Sequence, residues 1–452
     1  MTSLTKANLF SANRAIYLPA ISSTFARFAH SGNFARSLPV SASDLDFLSP
    51  SNPLFAYPFA LYSAGQDIPS ATGTPPPNMV SKRNRTSTIV LGDSGGYQVQ
   101  GNKIKFRGDT TTRRMMRWME EIADWSMVLD FPLGGISSGN MKRHSDRLVD
   151  EGRDLKALSV ANGQSIDFNA CLLQTQFNND LFVKERSHGA TRFLNVLQGR
   201  NEAESSTWFQ AVKCYPFEGW AFAGAHQNRF SLVVARILDL WDEGILENLE
   251  WLHFLGTATL EIGCLLTSLQ RAVRQHVNPK LQISFDSASP FISAGKNQMI
   301  VGHTVDDREW STHTVNVSEG SAFDLSKTVA EVCATEIGAM DATSFGVRHA
   351  CSNELDKLVR MSDICAGSAG TSDIDGDASK LLMHHNAEAM VRAHEDAHRA
   401  FYSRRQLTVP FLTKVVSTTT DLILKEYAAP GCRGGPYPKL DEWRHELDRL
   451  AM

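Results

Sequence analysis

Residues 86–98 read TSTIVLGDSGGYQ, a short run of β-branched and apolar residues that ends at Asp93 and is followed by small residues. A run of this kind, bounded by turn-forming residues, is typical of a buried β-strand. Five later segments repeat the pattern, and each ends in a polar residue or a glycine: 125–132 (WSMVLDFP), 191–199 (TRFLNVLQG), 219–225 (GWAFAGA), 249–257 (LEWLHFLGT) and 281–290 (LQISFDSASP). Because these apolar runs are continuous, they predict strands buried on both faces of a parallel sheet.

The spacing of the runs predicts how the strands are connected. Most neighbouring run ends lie about 30 residues apart, which is the length of a strand and a helix together. The intervening segments carry a helical apolar period, for example in 111–123 and 229–241. Six such units, with room for two more strands between Leu38 and Val80, predict an α/β fold of the (β/α)8 TIM-barrel type with insertions. The alternative is a doubly wound open sheet, which normally carries a G-x-G-x-x-G turn that this sequence lacks.

The predicted barrel occupies residues 38–326. A basic, acid-poor N-terminal arm (residues 1–37) is expected before it, and a mainly helical C-terminal region (residues 327–452) after it. The first 43 residues contain Lys6, Arg14, Arg27 and Arg36 but no Asp or Glu. That composition is also typical of transit peptides, so organelle targeting is the alternative interpretation of the arm.

Composition excludes several classes of protein. The chain of 452 residues is 42% hydrophobic and 21% charged, which excludes a largely disordered or fibrous protein. Its formal net charge is −4, so any contact with nucleic acid would need a local basic patch. No apolar run of about 18 residues occurs, so no membrane partner is expected. Seven scattered cysteines indicate a reducing compartment, and the expected location is the cytoplasm.

Asp93 and Asp286 each end a predicted strand and are each followed by small residues. Because the carboxyl ends of barrel strands build the active site, both carboxylates are expected at one mouth of the barrel. Two carboxylates in one pocket can act as nucleophile and general acid/base at an anomeric carbon. The alternative interpretation is that each aspartate only caps the following helix. Spacing alone does not separate a glycoside hydrolase from a glycosyl transferase.

The segment from Asp93 to Gln98 (DSGGYQ) closely resembles the DSGG(F/Y)Q signature of the tRNA-guanine transglycosylases. Members of that family are (β/α)8-barrel enzymes that exchange a guanine in nucleic acid for a 7-deazaguanine base. Five further segments resemble the family's motifs in the same order: 128–130 (VLD), 196–199 (VLQG), 219–224 (GWAFAG), 253–256 (HFLG) and 285–287 (FDS).

The resemblance implies a covalent mechanism. Asp286 would be the nucleophile that attacks C1′ of the target nucleoside and holds the sugar while guanine leaves. Asp93 would be the general acid/base that protonates the leaving purine and later deprotonates the incoming base. Because C1′ of a stacked nucleotide is out of reach, the target nucleotide would have to be flipped out.

The resemblance also implies a base-binding set, which is Ser94, Gly95, Gly96, Tyr97, Asp130, Gln198, Gly224 and Leu255. In this set, Asp130 would accept hydrogen bonds from guanine N1 and the exocyclic amine. The Gln198 amide and the Gly224 N–H would bind O6, and Tyr97 and Leu255 would sandwich the purine ring. The alternative for Tyr97 and Leu255 is a packing role alone.

The tRNA enzymes also hold a structural zinc ion with a C-x-C-x-x-C cluster and a downstream histidine. Here the corresponding region offers only Cys351, Cys365 and His398 as zinc candidates, and four ligands cannot be assembled from the usual spacing. No bound metal and no cofactor is therefore expected, and a 7-deazaguanine base is the expected co-substrate. A divergent branch of the superfamily, in phages and bacteria, acts on DNA, and this chain resembles that branch more because it keeps the base-exchange core without the tRNA-type cluster. DNA is therefore favoured over tRNA as the partner, and a phage-encoded chain would act in the host cytoplasm.

Candidate contacts to the nucleic-acid backbone are the basic residues that surround the Asp93 strand and two residues after the 249–257 run. They are Lys82, Arg83, Arg85, Lys103, Lys105, Arg107, Arg113, Arg114, Arg117, Gly256 and Thr257. The alternative for each basic residue is a solvated helix face. The C-terminal region would extend this surface or mediate homodimerisation. Three other functions stay open: a tRNA-guanine transglycosylase, a two-carboxylate glycoside hydrolase and a non-catalytic nucleic-acid-binding subunit.

Overall fold

The computed structural model describes residues 13–68, 75–133, 140–152, 154–155, 158–308, 310–318, 323–340, 347–367, 373–403, 409–429, 431–434 and 437–449. The strands are β1 (Ile16–Pro19), β2 (Phe59–Ser63), β3 (Ile89–Asp93), β4 (Trp125–Met127), β5 (Arg192–Leu197), β6 (Gly219–Phe222), β7 (Trp251–Phe254), β8 (Gln282–Ser287), β9 (Gln298–Val305), β10 (Trp310–Asn316) and β11 (Val347–Ala350). The helices are α1 (Ser23–Ser31), α2 (Ala64–Asp67), α3 (Gly96–Gln100), α4 (Asp109–Ile122), α5 (Asn140–Asp150), α6 (Phe168–Glu185), α7 (Glu202–Val212), α8 (Phe230–Asp242), α9 (Leu260–His276), α10 (Ser289–Ala294), α11 (Val329–Ala339), α12 (Glu354–Leu358), α13 (Met361–Ile364), α14 (Gly376–Phe401), α15 (Phe411–Tyr427) and α16 (Pro438–Asp448).

Strands β1 to β8 form a parallel barrel in the order β1-β8-β7-β6-β5-β4-β3-β2. The barrel closes between β1 and β2, where Ala20 bridges to Leu61 and the Ile21 N–H donates to the Leu61 carbonyl at 3.0 Å. Helices alternate with the strands along the chain. The predicted (β/α)8 TIM barrel is therefore confirmed.

The barrel strands are buried on both faces, which is why their sequences are continuous apolar runs instead of alternating patterns. Inside the barrel, the Phe222 and Phe254 rings from β6 and β7 stack with their centroids 4.8 Å apart. Such contacts fix the register of neighbouring strands, so the carboxyl ends of all eight strands meet at one mouth. None of the described helices combines the length and the apolar character that crossing a membrane requires.

The first barrel strand lies earlier in the chain than the sequence analysis places it. Strand β1, only four residues long, is fully buried and pairs with β8, with Tyr17 opposite Phe285. Within the described residues, the interval from Leu38 to Val80 holds one strand, β2, instead of two. The barrel therefore begins before residue 38, and the predicted N-terminal arm contributes β1 and α1 to it. Residues 1–12 of that arm lie outside the described residues.

The chain beyond the barrel is mainly helical, as predicted, and also contains a small antiparallel sheet. Strands β10, β9 and β11 lie in that order, so β11 joins the C-terminal region to the segment directly after β8. The long helix α14 packs between this sheet and the barrel. On the barrel side, the His394 ring lies 4.6 Å from the Tyr17 ring and 5.0 Å from the Phe285 ring. The C-terminal region is thus built onto the outside of β1 and β8.

Candidate active site

An open cleft of about 480 Å³ lies at the carboxyl end of the barrel. The ends of all six predicted runs line it, through Asp93, Asp130, Gln198, Gly224, Gly256 and Asp286. Gly96, Tyr97 and Leu255 also line the cleft. Ser94 is buried and, with Gly95, lies outside the cleft lining, whereas Thr257 is partly exposed directly after Gly256. The fold therefore brings together most of the residues that the motifs single out.

Asp93, the last residue of β3, is held by a neighbouring strand. The Ser63 hydroxyl at the end of β2 donates a hydrogen bond of 2.6 Å to Asp93 Oδ2 and itself accepts one of 3.2 Å from the Gly65 N–H. Burial raises the pKa of Asp93, and the nearby Asp286 carboxylate raises it further, against the opposing Ser63 hydrogen bond. A raised pKa keeps the proton on a carboxyl group to higher pH than in an ordinary aspartate, which favours the role of general acid.

Asp286 on β8 is fixed through one of its two carboxylate oxygens. The Gly256 N–H donates a hydrogen bond of 2.8 Å to Oδ1, and His253 Nε2 lies 3.2 Å from the same oxygen. The His253 contact has the distance of an ion pair but lacks hydrogen-bond alignment. Both contacts engage Oδ1, so Oδ2 is the oxygen that no described residue holds. Asp286 thus presents an oriented carboxylate oxygen to the cleft.

His253 is fully buried, and a short polar chain inside the barrel fixes its ring. The Trp251 indole N–H donates to Ser284 Oγ at 2.7 Å, and Ser284 Oγ lies 2.9 Å from His253 Nδ1. Because the indole can only donate, the Ser284 hydroxyl proton is available for Nδ1, which places the imidazole proton on Nε2, next to Asp286. His253 opens the 253–256 segment that resembles a family motif, but neither the motif nor its spacing from the aspartates indicates a role for it, and nothing in the sequence singles out Ser63.

Asp130 and Gln198 form a pair of acceptors on the floor of the cleft. The Gln198 side-chain amide donates a hydrogen bond of 2.7 Å to Asp130 Oδ2. Burial raises the pKa of Asp130 to about 7, against the opposing Gln198 hydrogen bond, and the Asp93 charge adds to the rise. Gln198 Oε1 is buried and has no hydrogen-bond partner among the described residues. A buried acceptor without a partner is costly, so a ligand that donates hydrogen bonds here would relieve that cost.

Two glycines give the cleft its shape because a side chain would collide with its walls. Gly224 has φ +63°, and a Cβ atom there would lie 2.5 Å from the Gly199 carbonyl oxygen. A Cβ atom on Gly96 would lie 2.6 Å from the Asp130 carbonyl oxygen. The backbone therefore approaches Gln198 and Asp130 closely, and a flat ligand can reach their polar atoms.

Tyr97 and Leu255 lie on the rim of this polar floor. Tyr97, on the short helix α3, is 47% exposed, and Leu255 is partly exposed. Gln227 donates a hydrogen bond of 2.6 Å to the Leu255 carbonyl, which holds the turn after β7. An exposed aromatic ring beside a pocket is a surface on which a planar ligand can stack.

The structure does not bring all the predicted basic contacts to the cleft. The Arg83 side chain is 1% exposed and binds Asp124 at 2.8 Å, just before β4 begins. Arg85 donates to the carbonyls of Glu121 and Ala123 at the same end. Arg83 and Arg85, with the exposed Lys82 that precedes them, therefore lie at the amino end of the barrel, opposite the cleft.

The second basic group follows α3, the helix that carries Tyr97. Lys103, Lys105 and Arg107 line a depression of about 300 Å³ together with Arg114. None of these four makes an ion pair within the described part of the chain. Arg113 and Arg117, by contrast, pair with Glu185 and Glu120. We name Lys103, Lys105, Arg107 and Arg114 the basic ridge.

The three zinc candidates do not come together. His398 is already engaged, because its Nε2 lies 2.6 Å from Thr267 Oγ1 and its Nδ1 lies 2.7 Å from the His394 carbonyl. Burial raises the pKa of the Cys365 thiol to about 11. Among the described residues, the one group that could hold a metal ion contains neither Cys351, Cys365 nor His398.

No known family model matches the chain, and no curated protein sequence matches it. The chemistry of the cleft and the motif resemblance are therefore the grounds for proposing an activity. That chemistry consists of one carboxylate with an oriented oxygen, one carboxyl group with a raised pKa, a pair of buried acceptors and an exposed aromatic ring.

Proposed function

We propose that the chain is a base-exchange transglycosylase that replaces guanine in DNA with a 7-deazaguanine base through a covalent aspartyl-glycosyl intermediate. The observation that carries the proposal is the meeting of Asp93 and Asp286 in one cleft with different surroundings. Asp286 has one carboxylate oxygen that no described residue holds, and it is oriented because the other oxygen is held by Gly256, whereas Asp93 is partly buried beside Ser63. Double displacement at an anomeric carbon needs one carboxyl group as the nucleophile and a second as the general acid/base, and different surroundings suit the two groups to these two roles.

The proposed reaction has two displacements. Asp286 Oδ2 attacks C1′, the C1′–N9 bond breaks, and its electron pair leaves with guanine, which takes a proton from Asp93. The incoming 7-deazaguanine then gives its N9 proton to Asp93 and attacks C1′, and the ester bond to Asp286 breaks. The second displacement returns a proton to Asp93 and frees the Asp286 carboxylate, so the two steps together balance and need neither an oxidant nor a cofactor.

The floor of the cleft supports guanine as the exchanged base. Guanine presents two donors on its Watson–Crick edge, N1–H and the exocyclic amine. The acceptors Asp130 and Gln198 Oε1 lie together on that floor, and Gln198 Oε1 lacks a partner of its own among the described residues. The resemblance implies that the Gln198 amide donates to O6, but that amide already donates to Asp130, so in this proposal Gln198 accepts from the base instead. Tyr97 is the stacking surface for the purine, and Leu255 is the apolar contact on its other face.

The proposal is tested by measuring the incorporation of labelled 7-deazaguanine. Purified protein is incubated with the labelled base and, in parallel, with duplex DNA, single-stranded DNA and unmodified tRNA at fixed salt. The expected result is label in DNA and release of an equal amount of guanine. Label in tRNA alone would replace the DNA assignment with a tRNA-guanine transglycosylase, and no label in any nucleic acid would contradict base exchange.

The basic ridge gives a prediction about DNA binding that is separate from catalysis. Replacing Lys103, Lys105 and Arg107 together by glutamine is expected to weaken DNA binding and to make it less salt-dependent. The slope of log K against log salt should fall by about 0.9 for each duplex phosphate that the variant no longer neutralises. Fluorescence anisotropy with labelled duplex at several salt concentrations measures both quantities.

A matched control removes charge from the other end of the barrel. Lys82 and Lys280 are exposed, and Lys280 lies just before β8 begins. Replacing both by glutamine should leave the salt slope unchanged. If the control and the ridge variant behave alike, the ridge is not the DNA-binding surface.

A further inference from the structure

We propose that His303, His349 and Asp396 form a binding site for one divalent first-row transition-metal ion of the zinc class, outside the barrel cleft. One ligand atom from each residue lies within 4.8 Å of the other two. His303 Nε2 lies 3.1 Å from Asp396 Oδ2, and His349 Nδ1 lies 3.8 Å from the same oxygen. Three atoms at these distances can converge on a shared cation once the His349 ring turns out of its stack on His303, because stacked rings direct their nitrogen lone pairs along nearly parallel lines.

The fold explains why these three residues meet. His303 on β9 lies directly opposite His349 on β11, so both side chains project from the same face of the antiparallel sheet. Their rings stack at a centroid distance of 4.8 Å and an interplanar angle of 17°. Helix α14 packs against this sheet and contributes Asp396. The site would therefore join two strands and the long helix that links the sheet to the barrel.

The hydrogen bonding around the site points to a ligand. The His303 side chain is 93% buried, and its Nε2 faces the Asp396 carboxylate in an ion-pair contact of 3.1 Å that lacks hydrogen-bond alignment. Buried polar atoms normally make well-aligned hydrogen bonds, so this pair of atoms is well placed to bind a shared cation. The other oxygen, Asp396 Oδ1, is held by Arg399 at 2.5 Å. Contacts of this type orient metal-bound carboxylates in known sites.

The ligand atoms restrict the kind of ion. Two imidazole nitrogens and one carboxylate oxygen suit zinc and its first-row neighbours, whereas magnesium and calcium prefer oxygen ligands. His349 is 39% exposed at its side chain, so water can complete the coordination from that side. Because the ligands come from three separate elements, the bound ion would stabilise the packing of α14 on the sheet.

Cobalt(II) is the probe that tests the site, because its visible absorption reports nitrogen and oxygen ligation without any activity assay. Full-length protein is stripped with a chelator and titrated with cobalt, and metal content is also measured by mass spectrometry of the unstripped protein. We expect one equivalent per chain, displaced by zinc but not by magnesium. His303→Ala and His349→Ala should each lose the cobalt signal.

The control is His313→Ala, which removes an imidazole from β10 of the same sheet and should bind cobalt like the unaltered chain. His349 is half-buried, so His349→Ala is expected to fold, and circular dichroism checks this for both variants. The absence of a cobalt signal in the unaltered chain would overturn the proposal. Equal cobalt binding by His349→Ala and the unaltered chain would overturn it as well.

Discussion

Replacing Asp286 by asparagine is expected to abolish guanine exchange, with a loss of at least about 10⁴-fold in kcat, because Asp286 is the nucleophile in our proposal. Asparagine has nearly the same shape, and its oxygen can still accept the Gly256 hydrogen bond that Asp286 Oδ1 accepts. The cleft should therefore keep its form. Binding of nucleic acid, which depends on the basic ridge in our proposal, should be unchanged.

Trapping the proposed covalent intermediate is the most direct measurement of this effect. In the unaltered protein, mixing with nucleic acid and denaturing the sample should leave a fraction of the chain joined to DNA, visible as a shifted band. Asp286→Asn should show no such band but normal anisotropy with DNA. Asp109→Asn, which removes one exposed carboxylate from α4, is the matched control and should behave like the unaltered chain. Full exchange by Asp286→Asn would remove Asp286 from the role of nucleophile.

The barrel could be predicted from the sequence because its strands are buried on both faces, and burial leaves a continuous apolar run that ends where the chain reaches solvent. Strand β1 escaped prediction because it is only four residues long and its segment carries the basic composition of an arm. Its place in the barrel depends on pairing with β8, more than 260 residues later in the chain. A pattern within a short stretch of sequence does not identify a partner strand so far along the chain.

The same limit explains which site residues were found. Asp93, Asp130, Gln198 and Asp286 end their strands and belong to motifs, so their convergence follows from the barrel topology. Ser63 also ends a strand, but nothing in its neighbourhood distinguishes it from any other serine. His253 lies inside a strand and reaches Asp286 only because β7 and β8 are neighbours. Its contribution becomes visible once the strand order is known.

Closeness in sequence was misleading for the basic residues. Arg83 and Arg85 lie within ten positions of Asp93, but β3 separates them from it. Five residues of strand at about 3.3 Å each span about 17 Å, which carries the chain from one end of the barrel to the other. After Asp93, the chain does not run back along the barrel until α4, and Lys103, Lys105 and Arg107 lie before that helix. They therefore remain on the side of the cleft.

Replacing Asp130 by asparagine is expected to stabilise the protein at high pH while weakening the binding of guanine. Burial raises the pKa of Asp130 from 3.8 to about 7 in the folded chain. The unfolded carboxyl group titrates near 3.8 and the folded one at about 7, so the folded chain loses stability progressively as the pH rises from about 4 to about 7. At about 1.36 kcal/mol per pKa unit, the loss approaches about 4 kcal/mol above the folded pKa. The asparagine variant should not show this loss.

Urea unfolding of both proteins between about pH 4 and about pH 8 measures the difference. The curves should approach one another at low pH and separate as the pH rises, with the variant more stable. Asp109→Asn controls for the loss of one formal charge and should follow the unaltered chain. Identical pH profiles for Asp130→Asn and the unaltered chain would show that Asp130 does not titrate near neutral pH.

The opposite effect on base binding follows from the same group. Guanine N1–H and its amine need an acceptor, so the ionised carboxylate binds guanine and its affinity should rise with pH through about 7. Asparagine presents an N–H₂ group that faces those donors, and base affinity should fall by about 10- to 100-fold. Calorimetric titration with guanine at two pH values measures both changes. If Asp130 lowers the stability of the fold but raises the affinity for guanine, selection for binding explains its presence better than packing does. Equal guanine affinity of Asp130→Asn and the unaltered chain would contradict that explanation.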